Sequence, residues 1–255
     1  MSNQQPSWSQ QALRSSAELL QSFEATHVPS EPPVLTAAEL APLIDHTLLK
    51  ADATPSAVER LCAEAVEHSF AAVCVNSSHV AACAQRLGNA GPRVCSVVGF
   101  PLGAALSGAK ACEARLAIEA GASEIDMVIA VGLLKAGMLD AVYADISTVA
   151  EVCRARGALL KVIIETCLLT DQEKVAACLA LVRAGADFAK TSTGFSTAGA
   201  TARDVALLRH VVGPELGVKA AGGVRSYGDA IAMVGAGATR IGASAGLQIL
   251  AQAPH

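Results

Sequence analysis

The sequence predicts one (β/α)8 barrel over residues 35–255, behind a polar extension of residues 1–34. Three observations predict it. From about residue 35 onward, apolar runs of strand length alternate with helix-length segments at roughly 25–30 residues, the size of a strand plus a crossover helix. The runs carry near-continuous Val, Ile, Leu and Ala, as strands covered on both faces do. A length of 255 residues with 52% hydrophobic but only 3% aromatic content suits a barrel in which small residues let helices approach the sheet. An open doubly wound sheet of this length would carry fewer strands and a Gly-rich first turn.

The extension is rich in Gln, Ser and Pro, yet Leu13, Ala17, Leu20 and Phe23 fall near helical spacing and predict one amphipathic helix. The strand runs follow in order as Leu43–Thr47, Phe70–Asn76, Arg93–Phe100, Glu124–Ala130, Leu160–Thr166, Phe188–Ser192, Val218–Gly223 and Arg240–Ser244. Thr54-Pro55 reads as the cap and first residue of the helix after the first strand. Ala120-Gly121-Ala122, Ala184-Gly185-Ala186 and Gly235-Ala236-Gly237 read as helix ends before strands four, six and eight.

Composition excludes several functions. A formal charge of −4 with scattered Arg and Lys leaves no basic stripe for nucleic acid, so a small-molecule partner is expected. No apolar run reaches membrane-spanning length, and the N-terminus lacks the basic-then-apolar pattern of a leader. The eight cysteines form no C-x-x-C pair and mostly sit in apolar stretches, which implies a reducing, cytoplasmic setting. Neither a G-x-S-x-G elbow nor a P-loop is present. His46 and His79 lack the i, i+4 spacing of zinc-binding helices and are expected to pack or cap, and no metal or cofactor is expected. The prior for assembly is a homodimer, because two-fold pairs are the commonest closed assembly.

Charges inside barrel strands need a reason, and five stand out: Asp45, Asp126, Lys161, Lys190 and Lys219. Three of the chain's seven lysines are among them. An unpaired buried ion costs several kcal/mol, roughly, so these groups are expected to meet near the barrel mouth. Ion pairs that merely fix strand register would explain any one of them; together they point to a catalytic site at the C-terminal rim. Lys190 and Lys219, on neighbouring strands, would stand close, and each would disfavour protonation of the other, which suits a Schiff-base amine. Lys161 and Glu165 share strand parity and are expected to pair across two pleats. Cys74 is a site neighbour, although a buried thiol is more often inert.

The late loops supply small residues for an anion. They are Lys190-Thr191-Ser192-Thr193-Gly194-Phe195-Ser196, Gly222-Gly223-Val224-Arg225-Ser226 and Gly242-Ala243-Ser244-Ala245-Gly246. Exposed amides after strands seven and eight commonly hold phosphate in barrels.

Eight segments now carry a specific resemblance: LIDHTLLK, VCVNSSHV, VVGFPLGA, EIDMV, LKVIIET, AKTSTGF, GVKAAGGVR and RIGAS. In this order, across about residues 40–246, they resemble the successive signatures of the deoxyribose-phosphate aldolase family. The resemblance implies a class I, metal-free aldolase that interconverts 2-deoxyribose 5-phosphate with acetaldehyde and glyceraldehyde 3-phosphate. It also implies that Lys190 is the Schiff-base nucleophile, Lys219 its electrostatic partner and Asp126 a proton-relay carboxylate. Thr191, Gly194, Gly222, Gly223, Arg225, Gly242 and Ser244, with Asp45, Cys74 and Lys161, are expected to bind substrate or support the site. Three departures stand out: Ala130 replaces an Asn, Ala245 replaces a Ser, and the Ala-Pro-His ending lacks the C-terminal Tyr of some members. The residues alone leave open another phosphate-binding barrel enzyme, either a sugar-phosphate isomerase or a related Schiff-base aldolase, or a silent metabolite-binding barrel.

Overall fold

The computed structural model describes residues 7–254, so the first six residues of the extension and His255 lie outside it. Eight strands run in sequence: β1 (Ile44–Leu48), β2 (Ala72–Val75), β3 (Arg93–Val98), β4 (Glu124–Val128), β5 (Leu159–Ile163), β6 (Phe188–Lys190), β7 (Gly217–Ala221) and β8 (Arg240–Ala243). Each pairs in parallel with the next and β8 returns to β1, closing the barrel. All eight expected runs contain a strand, but most strands end two or three residues early, because the backbone leaves the ladder at the rim to form the loops.

The period of two divides the strand residues between two cores. Outward residues such as Val73, Val98, Ile125, Leu160, Val162, Val218 and Ile241 join the surrounding helices in one large buried cluster. Leu49, Ala72, Cys74, Cys95 and Val97, with Phe100 packed against them, form a separate cluster.

Local signals act as expected at the helix ends. The Thr54 side chain caps helix Pro55–Glu67 by accepting from the Ala57 N–H. Gly121, Gly185 and Gly237 all take positive φ. At Gly185, the left-handed cap of helix Asp171–Ala184, an added Cβ would also lie 2.7 Å from Arg154 Nη2.

Residues Trp8–Thr26 form one helix that packs outside the barrel on helices Leu139–Ala155, Asp171–Ala184 and Ala202–Val212. Its inward face is rotated from the expected one. Ala12, Ser16 and Phe23 are buried, whereas Leu13 and Ala17 are exposed. Phe23 is the anchor, stacked on His27 at 4.5 Å and edge-on to His210 at 5.6 Å between ring centroids. Farther on, the Tyr227 hydroxyl bridges both the N–H and the carbonyl of Leu35. Among the described residues, no helix is long and apolar enough to cross a membrane.

Candidate active site

Alternate positions on six strands aim charge at one point in the lumen. Asp126 of β4 is in register with Lys161 of β5, and Lys190 of β6 with Lys219 of β7. Asp45 enters from β1. Two further charges join them, Glu124, two residues before Asp126, and Arg240, two residues before Gly242, and half-exposed Arg93 at the start of β3 reaches Glu124 at 3.4 Å. The parity rule would have found Glu124 and Arg240, but a charge at a strand start reads as a solvated end.

Asp126 is the hub. One oxygen accepts from Lys190 Nζ at 2.6 Å and Lys219 Nζ at 2.7 Å, and the other from Lys161 Nζ at 2.8 Å and Cys95 Sγ at 3.1 Å. Lys161 also meets Glu124 at 2.6 Å and Asp45 at 3.7 Å. Lys219 binds Asp45, whose other oxygen accepts from Arg240 at 2.6 Å. Thus Lys161 contacts three carboxylates, Lys219 two and Lys190 one.

Burial alone would raise the carboxylates and lower the lysines, but opposite charge outweighs it. Lys219, Lys161 and Arg240 hold Asp45 below the usual carboxylate range, and the three lysines do the same to Asp126. Asp126 and Asp45 hold Lys219 above the usual lysine value, and Lys161 is held up with it. Lys219 is therefore a fixed cation.

Cys74 lies in register with Cys95. A hydrogen bond with Cys95 lowers Cys74, while burial and the same bond push Cys95 up. Cys74, Cys95 and Asp126 place possible ligand atoms within 4.8 Å of one another, as do Asp45, Cys95 and Glu124. In both groups the carboxylates are already bonded to lysine or arginine.

The late-loop residues divide into buried braces and an open edge. The Thr191 hydroxyl is buried and bonds both the N–H and the carbonyl of Ala221, joining the ends of β6 and β7. Gly222 takes φ +83, and an added Cβ would lie 3.0 Å from Gly199 Cα and 3.2 Å from Gly194 Cα. At Gly242 an added Cβ would lie 3.1 Å from Lys219 Cε, so its bareness makes room for that lysine. Gly223, Arg225 and Ser244 are exposed.

Several expectations need correction. Glu165 does not pair with Lys161: its carboxylate instead accepts from the N–H and hydroxyl of Thr193. β5 stops at Ile163 and the backbone is left-handed at Glu165, so strand parity no longer applies there. His46 does pack, against Phe70 and bonded to Glu64. His79 holds the cap position of helix Val80–Leu87 without a side-chain cap bond. Ala130 and Ala245 likewise precede helices with no side-chain cap.

Comparison with known proteins agrees with this geometry. The profile of the DeoC/LacD family aldolases matches residues 40–252. Over 207 residues the chain is 58% identical to the deoxyribose-phosphate aldolase of Streptococcus gordonii, covering 81% of this chain and 93% of that protein. Over 211 residues it is 57% identical to the deoxyribose-phosphate aldolase of Geobacillus sp., covering 83% and 94%. Among solved structures, the tetrameric deoxyribose phosphate aldolase of Aeropyrum pernix superposes with a TM-score of 0.80 at 35% identity, covering 96% of this chain and 97% of that one. A closed parallel barrel with charges converging in its lumen and a family match over its full span lead to one conclusion: the chain belongs to the DeoC/LacD family of aldolases.

Proposed function

We propose that this chain cleaves 2-deoxyribose 5-phosphate reversibly to acetaldehyde and glyceraldehyde 3-phosphate, with Lys190 as the imine-forming amine. The contrast among the three lumen lysines carries the assignment. Lys190 has the fewest carboxylate contacts and is 3% exposed, while Lys161 and Lys219 are fully buried. An amine that must meet a carbonyl and later release product needs that access. Five cations, Arg93, Lys161, Lys190, Lys219 and Arg240, pair with the three carboxylates Asp45, Glu124 and Asp126, and of the three lysines Lys190 is held by the fewest acids.

In the cleavage direction, the Lys190 amine adds to the C1 aldehyde of the open-chain sugar, and uptake of one proton with loss of water gives a protonated imine. The imine draws the C2–C3 bonding pair into an enamine as the C3 hydroxyl loses its proton, and C3 departs as the aldehyde of glyceraldehyde 3-phosphate. The enamine carbon then takes a proton, and water hydrolyses the protonated imine to acetaldehyde and free Lys190, returning the proton taken up when the imine formed. Asp126, ionised at rest, is suited to accept these protons transiently and pass them on, since one oxygen lies 2.6 Å from Lys190 Nζ and 2.7 Å from Lys219 Nζ. Lys219 remains a cation that keeps Asp126 ionised and adds positive field beside the reacting amine. In this reading Gly223, Arg225 and Ser244 receive the phosphate; Gly194, Gly222 and Gly242 permit close backbone approach; Thr191, Asp45, Lys161 and Cys74 support from within.

Borohydride reduction in the presence of acetaldehyde tests the reading. Peptide mass mapping should find the reduced two-carbon adduct on Lys190, and an untrapped protein would refute the imine. Three further parts of the proposal are a catalytic unit of residues 35–255 with 1–34 as its appendage, a cytoplasmic location and a homodimer. The second rests on eight unpaired cysteines and the third on the frequency of two-fold assemblies.

A further inference from the structure

Glu165 lies outside the charge cluster, yet its backbone adopts a region that side chains rarely visit. It is one of two non-glycine residues with positive φ among the described residues, at φ 57 and ψ 66. Such a conformation persists where surrounding contacts impose it. Glycine would hold it without steric cost, so what the position gains from glutamate is the carboxylate.

That carboxylate holds the loop after β6. It is 3% exposed and accepts from the Thr193 N–H at 3.2 Å and from the Thr193 hydroxyl. The same hydroxyl oxygen accepts from the Phe195 N–H at 3.0 Å. Phe195, 55% exposed, meets the Phe100 ring edge-on at 5.2 Å between centroids. Phe100 in turn packs against the cluster formed by Ala72, Cys74, Cys95 and Val97. A hydrogen-bond chain therefore runs from Glu165 to an aromatic pair joining the loops after β3 and β6, and the second of these loops begins directly after Lys190.

We propose that Glu165 is a positioning residue for the aldol reaction: it latches the β6 loop so that Phe195, braced on Phe100, covers the acceptor half of the sugar phosphate. This rests on the imine reading of Lys190. The two donor carbons would sit at that lysine in the lumen, which leaves the acceptor half nearer the mouth. Without the latch the loop samples open states, and substrate must select the closed one, so affinity falls with the closed fraction.

Glu165→Gly keeps the backbone free of strain and deletes the latch, so the variant should fold, with a melting temperature lowered modestly by the two lost buried hydrogen bonds. A closed fraction reduced to one-tenth predicts a KM for 2-deoxyribose 5-phosphate about tenfold higher, with kcat nearly unchanged. Borohydride trapping of Lys190 with saturating acetaldehyde alone should proceed at the wild-type rate, because the donor does not need the cover. Glu165→Gln, which keeps one acceptor oxygen, should recover most of the affinity. Phe195→Ala should reproduce the rise in KM, and the double variant Glu165→Gly/Phe195→Ala should be no worse than either single change, since both remove one closed state. An unchanged KM in Glu165→Gly, a fall in kcat with no change in KM, or fully additive losses in the double variant would overturn the latch. Those outcomes with normal wild-type trapping reject the latch alone, whereas absence of wild-type trapping rejects it together with the imine reading.

Discussion

Lys190 and Lys219 stand directly opposite each other in the β6–β7 register and donate to the same oxygen of Asp126. Two cations on one carboxylate oxygen make a division of labour testable, because only one of them can carry the carbonyl carbon. Lys190→Ala should abolish both turnover and borohydride trapping. Lys219→Met should lose about a hundredfold or more in turnover yet still trap slowly. Trapping by Lys190→Ala but not by Lys219→Met would reverse the assignment.

Asp126→Asn leaves the five cations of the cluster facing two carboxylates. Removing one partner from a buried ionic network costs about 3 kcal/mol or more, so this variant should unfold at markedly lower urea concentration as well as losing turnover. Wild-type stability by circular dichroism would contradict the hub role of Asp126.

Acid should unfold the barrel through its own carboxylates. Asp45 and Asp126 are held below their ordinary values in the fold. Their contribution is therefore fully present above the unfolded value, about 3.9, and drains away as pH falls from there towards the depressed folded values. The melting temperature should drop steeply below about pH 4. Asp45→Asn should be less stable at pH 7 but show a shallower acid slope; an unchanged slope would place the acid sensitivity elsewhere.

The late glycines should separate strain from collision. Gly223 takes φ +81 with open space around an added Cβ, so Gly223→Ala should cost only the left-handed penalty, about 1–2 kcal/mol. Gly222→Ala adds contact with Gly199 and Gly194 to the same penalty and should cost about 2 kcal/mol or more. A bulky residue at Gly223 should weaken use of glyceraldehyde 3-phosphate against unphosphorylated acceptors. An unchanged preference would move the phosphate site.

Turnover should survive a chelator, because a protonated imine supplies the electron sink that a metal-dependent aldolase takes from its ion. Loss of activity with chelator and its return with zinc would assign the protein to the other class.

The barrel and most of its charged lumen were legible because charge within a continuous apolar strand has few structural explanations. Asp126, Lys161, Lys190 and Lys219 each interrupt such a run. Glu124 and Arg240 escaped because they open their strands. Glu165 was misread because a period of two was extended past the last ladder residue, Ile163. In helix Trp8–Thr26 the hydrophobic stripe misled for another reason. Ser16 satisfies its hydroxyl on the Leu13 carbonyl at 2.8 Å and can face the barrel, while Leu13 turns outward.

The unequal ties of the three lysines bear on how such a protein ages. Lys161 is held by three carboxylates, Lys219 by two and Lys190 by one. Selection for folding alone would defend them in that order, since each lost contact exposes a buried acid to a poorer neighbourhood. A gene copy released from metabolic duty would therefore shed Lys190 first and keep its barrel. Sequences of this architecture that retain the acids and the other two lysines but lack this one would be retired enzymes, recognisable by the loss of the lysine with the fewest ties.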